Sequence, residues 1–135
     1  MSESTSPGPY GALHLGRGNY GQAIAALKNG ERVARSGWNG KGMFVFMQIP
    51  ANIDIEIVPK MQSLPQSVKD EFIARAKLEQ EAVEATSHLI KGPAVTVAQS
   101  IKYSNQMAIV DRENNINGWV ASSSDTLATD WKILD

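Results

Sequence analysis

The sequence contains no cysteine and only two histidines, His14 and His88. Without thiols there is no disulfide framework, no thiolate zinc site and no cysteine nucleophile. Two histidines, with no His-x-x-x-His pair, are poor material for a metal centre, so none is expected. No apolar run approaches the length of a membrane span, and none is predicted. Residues 1–10 lack the basic start and apolar stretch of a secretory signal, which predicts a protein of the cytoplasm. A surplus of one charge sign is also missing: 13 Lys+Arg stand against 14 Asp+Glu, a formal net charge of −1. A protein that coats DNA or RNA needs a basic surplus to release counterions, so neither is an expected partner. The remaining material, 135 residues of which 42% are hydrophobic, suffices for one domain with a real core.

Residues 1–18 are rich in Ser, Pro and Gly and read as a flexible N-terminal arm, with Tyr10, Leu13 and Leu15 available to dock on a partner subunit. A single domain is expected over residues 19–135. Its first element is a helix from about residue 20 to 29: Asn19 and Gln22 have capping-box spacing, and Gly30 offers a left-handed exit. Tyr20, Ile24 and Leu27 form its buried stripe. Residues 31–36 and 43–49 read as two strands of a hairpin, the second nearly all apolar and covered on both faces. Its tip, Gly37-Trp38-Asn39-Gly40-Lys41-Gly42, holds three glycines and an asparagine.

An irregular stretch with short extended pieces around residues 53–58 leads to a helical insertion over residues 65–91. Ser63 and Gln66 have capping-box spacing, and Gly92-Pro93 is a stop. Ala74, Leu78, Ala82, Ala85 and Leu89 form its expected stripe, shallow enough to suit light packing or another subunit. Strands are expected near residues 94–98, 103–110, 116–121 and 131–134, with a short helical turn over residues 125–130. The predicted fold class is α+β: small antiparallel sheets, a short N-terminal helix and one long inserted helix.

Charge is distributed unevenly. Residues 19–49 carry Lys28, Arg32, Arg35 and Lys41 against Glu31, while residues 92–135 carry more carboxylates than cations. An indole can stack on a base, a guanidinium can fork onto phosphate and loop amides can meet anionic oxygens. The hairpin tip therefore holds the inventory of a nucleotide pocket. The same residues also suit a bland reading, with Trp38 in the core, Arg35 and Lys41 in solvent and an ordinary turn between. The segment at residues 16–21 is no dinucleotide fingerprint, because no strand precedes it. Neither histidine stands in a catalytic setting, and Asp125 and Asp130 read as helix caps. No catalytic residue and no cofactor are expected.

Residues 19–43, through Arg32-Val-Ala-Arg-Ser-Gly-Trp-Asn-Gly-Lys-Gly-Met43, and residues 117–131, through Gly118-Trp-Val-Ala-Ser-Ser-Ser-Asp125, resemble a phage and prophage family, the first type of Thoeris anti-defence protein. Ser123 and Ser124 stand where that pattern has Gln and Thr. The resemblance implies a sponge, not an enzyme: a protein of the infected host's cytoplasm that binds cyclic ADP-ribose isomers from TIR-domain enzymes without cleaving them. It also implies a homo-oligomer, dimer or hexamer, with pockets where subunits meet, and cyclic di- or trinucleotides as further ligands of some members. On that basis Arg35 and Lys41 are assigned to the pyrophosphate, and Trp38 or Tyr103 to stacking. Asn39, Asn105, Ser122, Ser124 and Asp125 are assigned to ribose or adenine edges, and Trp119 to a wall. An enzyme degrading such nucleotides, or a phage structural or protein-interaction module, is the alternative.

Overall fold

Asn19 and Gln22 begin the first long helix as their spacing requires. The Asn19 side chain accepts from the Gln22 amide at 2.8 Å, and the Gln22 side chain accepts from the Asn19 amide at 2.7 Å. The computed structural model describes residues 10–38, 42–89 and 96–135. It contains two compact units, Met1–Ile49 with Asn105–Asp135, and Pro50–Ser104.

In the first unit the helices are α1 (Gly11–His14), α2 (Tyr20–Lys28) and α4 (Ser123–Leu127). Its strands are β1 (Arg32–Arg35), β2 (Phe44–Met47), β5 (Met107–Val110), β6 (Ile116–Gly118) and β7 (Trp131–Leu134). The strands form one antiparallel sheet in the order β6-β5-β2-β1-β7. Gly30, with φ +87°, takes the chain from α2 back towards β1.

Alternation sets which side chains meet. Val33 lies opposite Val45 and Ile133, so these three share the face on which α2 rests. Leu13, Ala23, Ala26, Leu27, Val33, Val45 and Trp131 make the buried core. The expected hairpin is present. Of its apolar second strand only Val45 is buried, and Phe44 and Phe46 on the other face are half-exposed.

Of the expected flexible arm over residues 1–18, residues 1–9 lie outside the described residues, and Leu13 shows residues 10–18 to be packed. From α1 its side chain reaches the core and is 0% exposed, and the Gly18 main chain exchanges two hydrogen bonds with that of Trp131. Burying one leucine contributes about 2 kcal/mol, and the paired Gly18 and Trp131 main chains add to it.

In the second unit, β3 (Ala51–Asp54) pairs with β4 (Ser100–Tyr103), and α3 (Gln66–Thr86) packs on the turn Val58–Lys60. The strand expected over 103–110 is therefore interrupted. Ser100–Tyr103 and Met107–Val110 pair in different sheets, and the polar Ser104-Asn105-Gln106 separates them. No strand forms at residues 96–98, and 94–95 lie outside the described residues.

Pro65, not Ser63, occupies the N-cap of α3. Its last turn is closed by side chains: Thr86 donates to the Ala82 carbonyl and Ser87 to that of Glu84. The expected stripe on this helix is corrected as well. Ala74, Leu78, Ala82, Ala85 and Leu89 are exposed, Leu78 by 67%. The covered face instead carries Val68, Phe72, Ala76 and Val83, the bulkier set. Glu79 lies on that face, and its carboxylate accepts from the Val97 and Ala98 amides at 2.8 and 3.0 Å.

Candidate functional site

Strand β1 ends on Arg35, whose side chain ties α4 to the chain that follows it. Its Nε donates to Asp130 Oδ1 at 2.9 Å and a terminal nitrogen donates to Asp125 Oδ1 at 3.0 Å. The other Asp130 oxygen accepts from the Gly37 amide at 2.8 Å, and the Ser36 amide donates to the Asp130 carbonyl. This draws the turn Ser36–Trp38 onto the approach to β7. A Cβ on Gly37 would lie 2.9 Å from Asp130 Oδ2, so the close approach requires glycine.

Asp125 is itself built in by α4. The Ser122 amide and hydroxyl donate to Asp125 Oδ2 at 3.0 and 2.9 Å, and the Asp125 amide donates to Ser122 Oγ. The buried Trp131 indole donates to the Asp125 carbonyl at 2.9 Å.

The charges follow from these contacts. Burial raises the Asp125 carboxyl pKa, but hydrogen bonds from Ser122 and Arg35 outweigh it and hold the group below its usual range. Burial acts likewise on Asp130, where Arg35 and the Gly37 amide prevail and the net shift is again downward. Hydrogen bonds to Asp130 and Asp125 raise the Arg35 pKa. Both carboxylates are thus ionised at neutral pH around one guanidinium. The cluster carries a net negative charge.

Over this network stand three tryptophans. Trp38 meets Trp131 edge-on at 5.4 Å between ring centroids, Trp119 meets Trp131 at 6.0 Å, and Trp38 meets Trp119 at 6.2 Å. Tyr20 adjoins Trp131 at 5.8 Å. Trp131 is wholly buried and belongs to the core, whereas Trp38 and Trp119 remain half-exposed. The fold therefore brings Gly37 and Trp38, at the start of the hairpin tip, together with the serine–aspartate segment.

The sequence-derived candidates distribute as follows. Arg35, Trp38, Trp119, Ser122 and Asp125 meet in this cluster, with Ser124 exposed on the first turn of α4. Asn105 is exposed and directs its amide at Met47 Sδ, 3.8 Å away. Tyr103 belongs to the second unit, where it lines an apolar cavity with Leu64, Val68, Phe72 and Ile101. Asn39 and Lys41 lie outside the described residues. Sequence reasoning missed Asp130, which it read as a cap. Its spacing from Asp125 was the available signal, because Asp125 sits in a helix that ends at Leu127 and Asp130 follows the exit, so that both can reach one arginine.

A second feature adjoins Trp38. A cavity of about 310 Å³ is lined by Arg32, Ala34, Arg35, Trp38, Phe44 and Lys132, among others. Arg32 lies 5.2 Å from the Phe44 ring centroid in a cation–π contact. Among the described residues no group of His, Cys, Asp and Glu could hold a metal ion, and no helix is long and apolar enough to cross a membrane.

Fold and site together define an α+β protein whose half-open aromatic cluster rests on an anchored arginine–carboxylate network. Comparison with known proteins gives the class a family. The family model of the Thoeris anti-defense 2-like domain matches residues 18–134. The chain belongs to that family. It is 28% identical over 116 residues to Thoeris anti-defense 2 of Bacillus phage SP01, an alignment covering 86% of this chain and 93% of the relative. The resemblance to Thoeris anti-defence proteins is thereby shown, and the matching family bears the number 2 where the sequence pattern was likened to the first type. Membership supports a phage role against Thoeris defence.

Proposed function

We propose that the protein is a sponge: it captures a cyclic ADP-ribose isomer made by a TIR-domain enzyme and holds it unaltered in the cytoplasm of the infected host, so that the downstream effector stays off. The observation that carries this reading is the convergence of two half-exposed indoles, Trp38 and Trp119, with the Arg35–Asp125–Asp130 network. Exposed indole surface suits an adenine, and carboxylate and serine oxygens suit ribose hydroxyls. The acid–base properties fit retention. A general acid needs a raised pKa, whereas both carboxylates here are held low by their partners.

The protein acts as a homo-oligomer, dimer or hexamer, with the site near a subunit seam. Supporting this, Val120 beside Trp119 is 88% exposed and Leu127 in α4 is 80% exposed, more apolar surface than a water-facing loop calls for. Slow release then comes from a stacked, desolvated ring and a low off-rate. Cyclic di- or trinucleotides are candidate further ligands.

The test is a titration of the intact protein with a purified cyclic ADP-ribose isomer, read by tryptophan fluorescence. Saturable quenching that Trp38→Ala or Trp119→Ala weakens at least tenfold supports the site. Unchanged affinity in both variants places the ligand elsewhere, and no quenching or heat in the wild type removes the reading.

A further inference from the structure

The arginine nearest the tryptophans is the wrong one to hold a pyrophosphate. Arg35 already serves two carboxylates, and the three groups together repel an anion. The cations with room for a phosphate lie on the other face of the sheet. On β1 and β7, Val33, Arg35, Trp131 and Ile133 point to one face, so Arg32, Ala34, Lys132 and Leu134 point to the opposite one. Ala34 is directly opposite Lys132, and Arg32 is two residues from Ala34. The two cations are therefore diagonal neighbours, a spacing of about 7 Å at which long side chains converge on one group.

Their surroundings favour an anion. Ala34, between them, adds only a methyl group to the cavity wall. Neither cation forms an ion pair with a described Asp or Glu side chain. Arg32 lies beside Phe44 and hydrogen-bonds the main-chain oxygen of Asp135, which aims the guanidinium. Both face the cavity of about 310 Å³, which Trp38 and Arg35 also line, the latter with its guanidinium committed to Asp125 and Asp130. Trp38 thus belongs to the aromatic cluster and to the cationic cavity. A cavity near the lower limit of roughly 300 Å³ for small-molecule sites accommodates one end of a cyclic dinucleotide-sized ligand, not the whole.

We propose that this cavity is a phosphate subsite in which Arg32 and Lys132 hold the pyrophosphate of the captured signal, while Trp38 divides it from the base-stacking cluster. This rests on the sponge reading. Arg35 is then a positioning residue that sets Trp38 through the Ser36–Trp38 turn.

The test uses the full chain and two probes. Calorimetric titration with a cyclic ADP-ribose isomer compares wild type with Arg32→Gln, Lys132→Gln, the double variant, and the charge-preserving Arg32→Lys with Lys132→Arg. Charged hydrogen bonds predict losses of about tenfold for each glutamine variant and about a hundredfold for both, with a weaker salt dependence. The charge-preserving pair should retain most of the affinity. A wild type that binds beside a double glutamine variant that binds equally tightly overturns the subsite and leaves sequestration standing. If the wild type takes up no isomer, sequestration fails, and the subsite is decided by inorganic pyrophosphate followed by NMR. Shifts at the Arg32 and Lys132 side chains and the Trp38 indole uphold it, and unperturbed signals at millimolar pyrophosphate overturn it.

Discussion

Because Arg35 donates to Asp125 and Asp130 at once, a single guanidinium joins the end of β1 to α4 and to the chain just after it, and Trp38 follows three residues later. Arg35 is 21% exposed, and its partners 13% and 31%, so solvent screens the pairs only in part. Arg35→Ala leaves two carboxylates facing each other and should cost about 2 kcal/mol in urea unfolding. Lysine should recover only part, since it cannot reproduce the two-pronged geometry. The same carboxylates set an acid limit. Their folded pKa values lie below the unfolded ones, so their contribution is complete above the ordinary carboxylate range and is lost as pH falls through the depressed folded values. Thermal stability followed from pH 7 down to pH 2 should fall on the acid side of about pH 4, and Asp130→Asn should flatten that fall. A wild-type profile independent of pH across that interval would show that the network contributes nothing.

At the level of elements, α1 is short but anchored, and its anchor is one side chain. Leu13→Ala removes a wholly buried group and should destabilise by about 3 kcal/mol, measured by chemical denaturation. A loss under about 0.5 kcal/mol, the range of an ordinary surface change, would mean that α1 is dispensable. Leu13 was hard to recognise because its neighbours are Ser, Pro and Gly and its contact, at the far end of the chain, is Trp131. The α2 helix was legible because Asn19, Gln22 and Gly30 signal its ends within a few residues. For α3 the period was legible and the phase was not. Two apolar stripes run along it, and counting positions selected the alanine-rich one. Volume selects the other, with Phe72 and Val68, and only the fold shows that Glu79 is satisfied there by the Val97 and Ala98 amides. For the site, the tip and the serine–aspartate segment could be picked out as residue types. That they meet depends on β7 pairing with β1, a register no local pattern announces. The alternation of Arg32 and Arg35 on opposite faces of β1 has the same origin.

For the whole molecule, a family role against Thoeris goes with the proposed device: indoles for a base, a cationic cavity for phosphates, and carboxylates held ionised by their partners. The most direct measurement loads the protein with nucleotides from TIR-activated cells, removes unbound material, denatures the complex by heat and weighs what is released. Sequestration predicts a cyclic ADP-ribose isomer of unchanged mass, recovered in full after prolonged incubation. Recovery of an opened or hydrolysed product, or of no nucleotide at all, would contradict it.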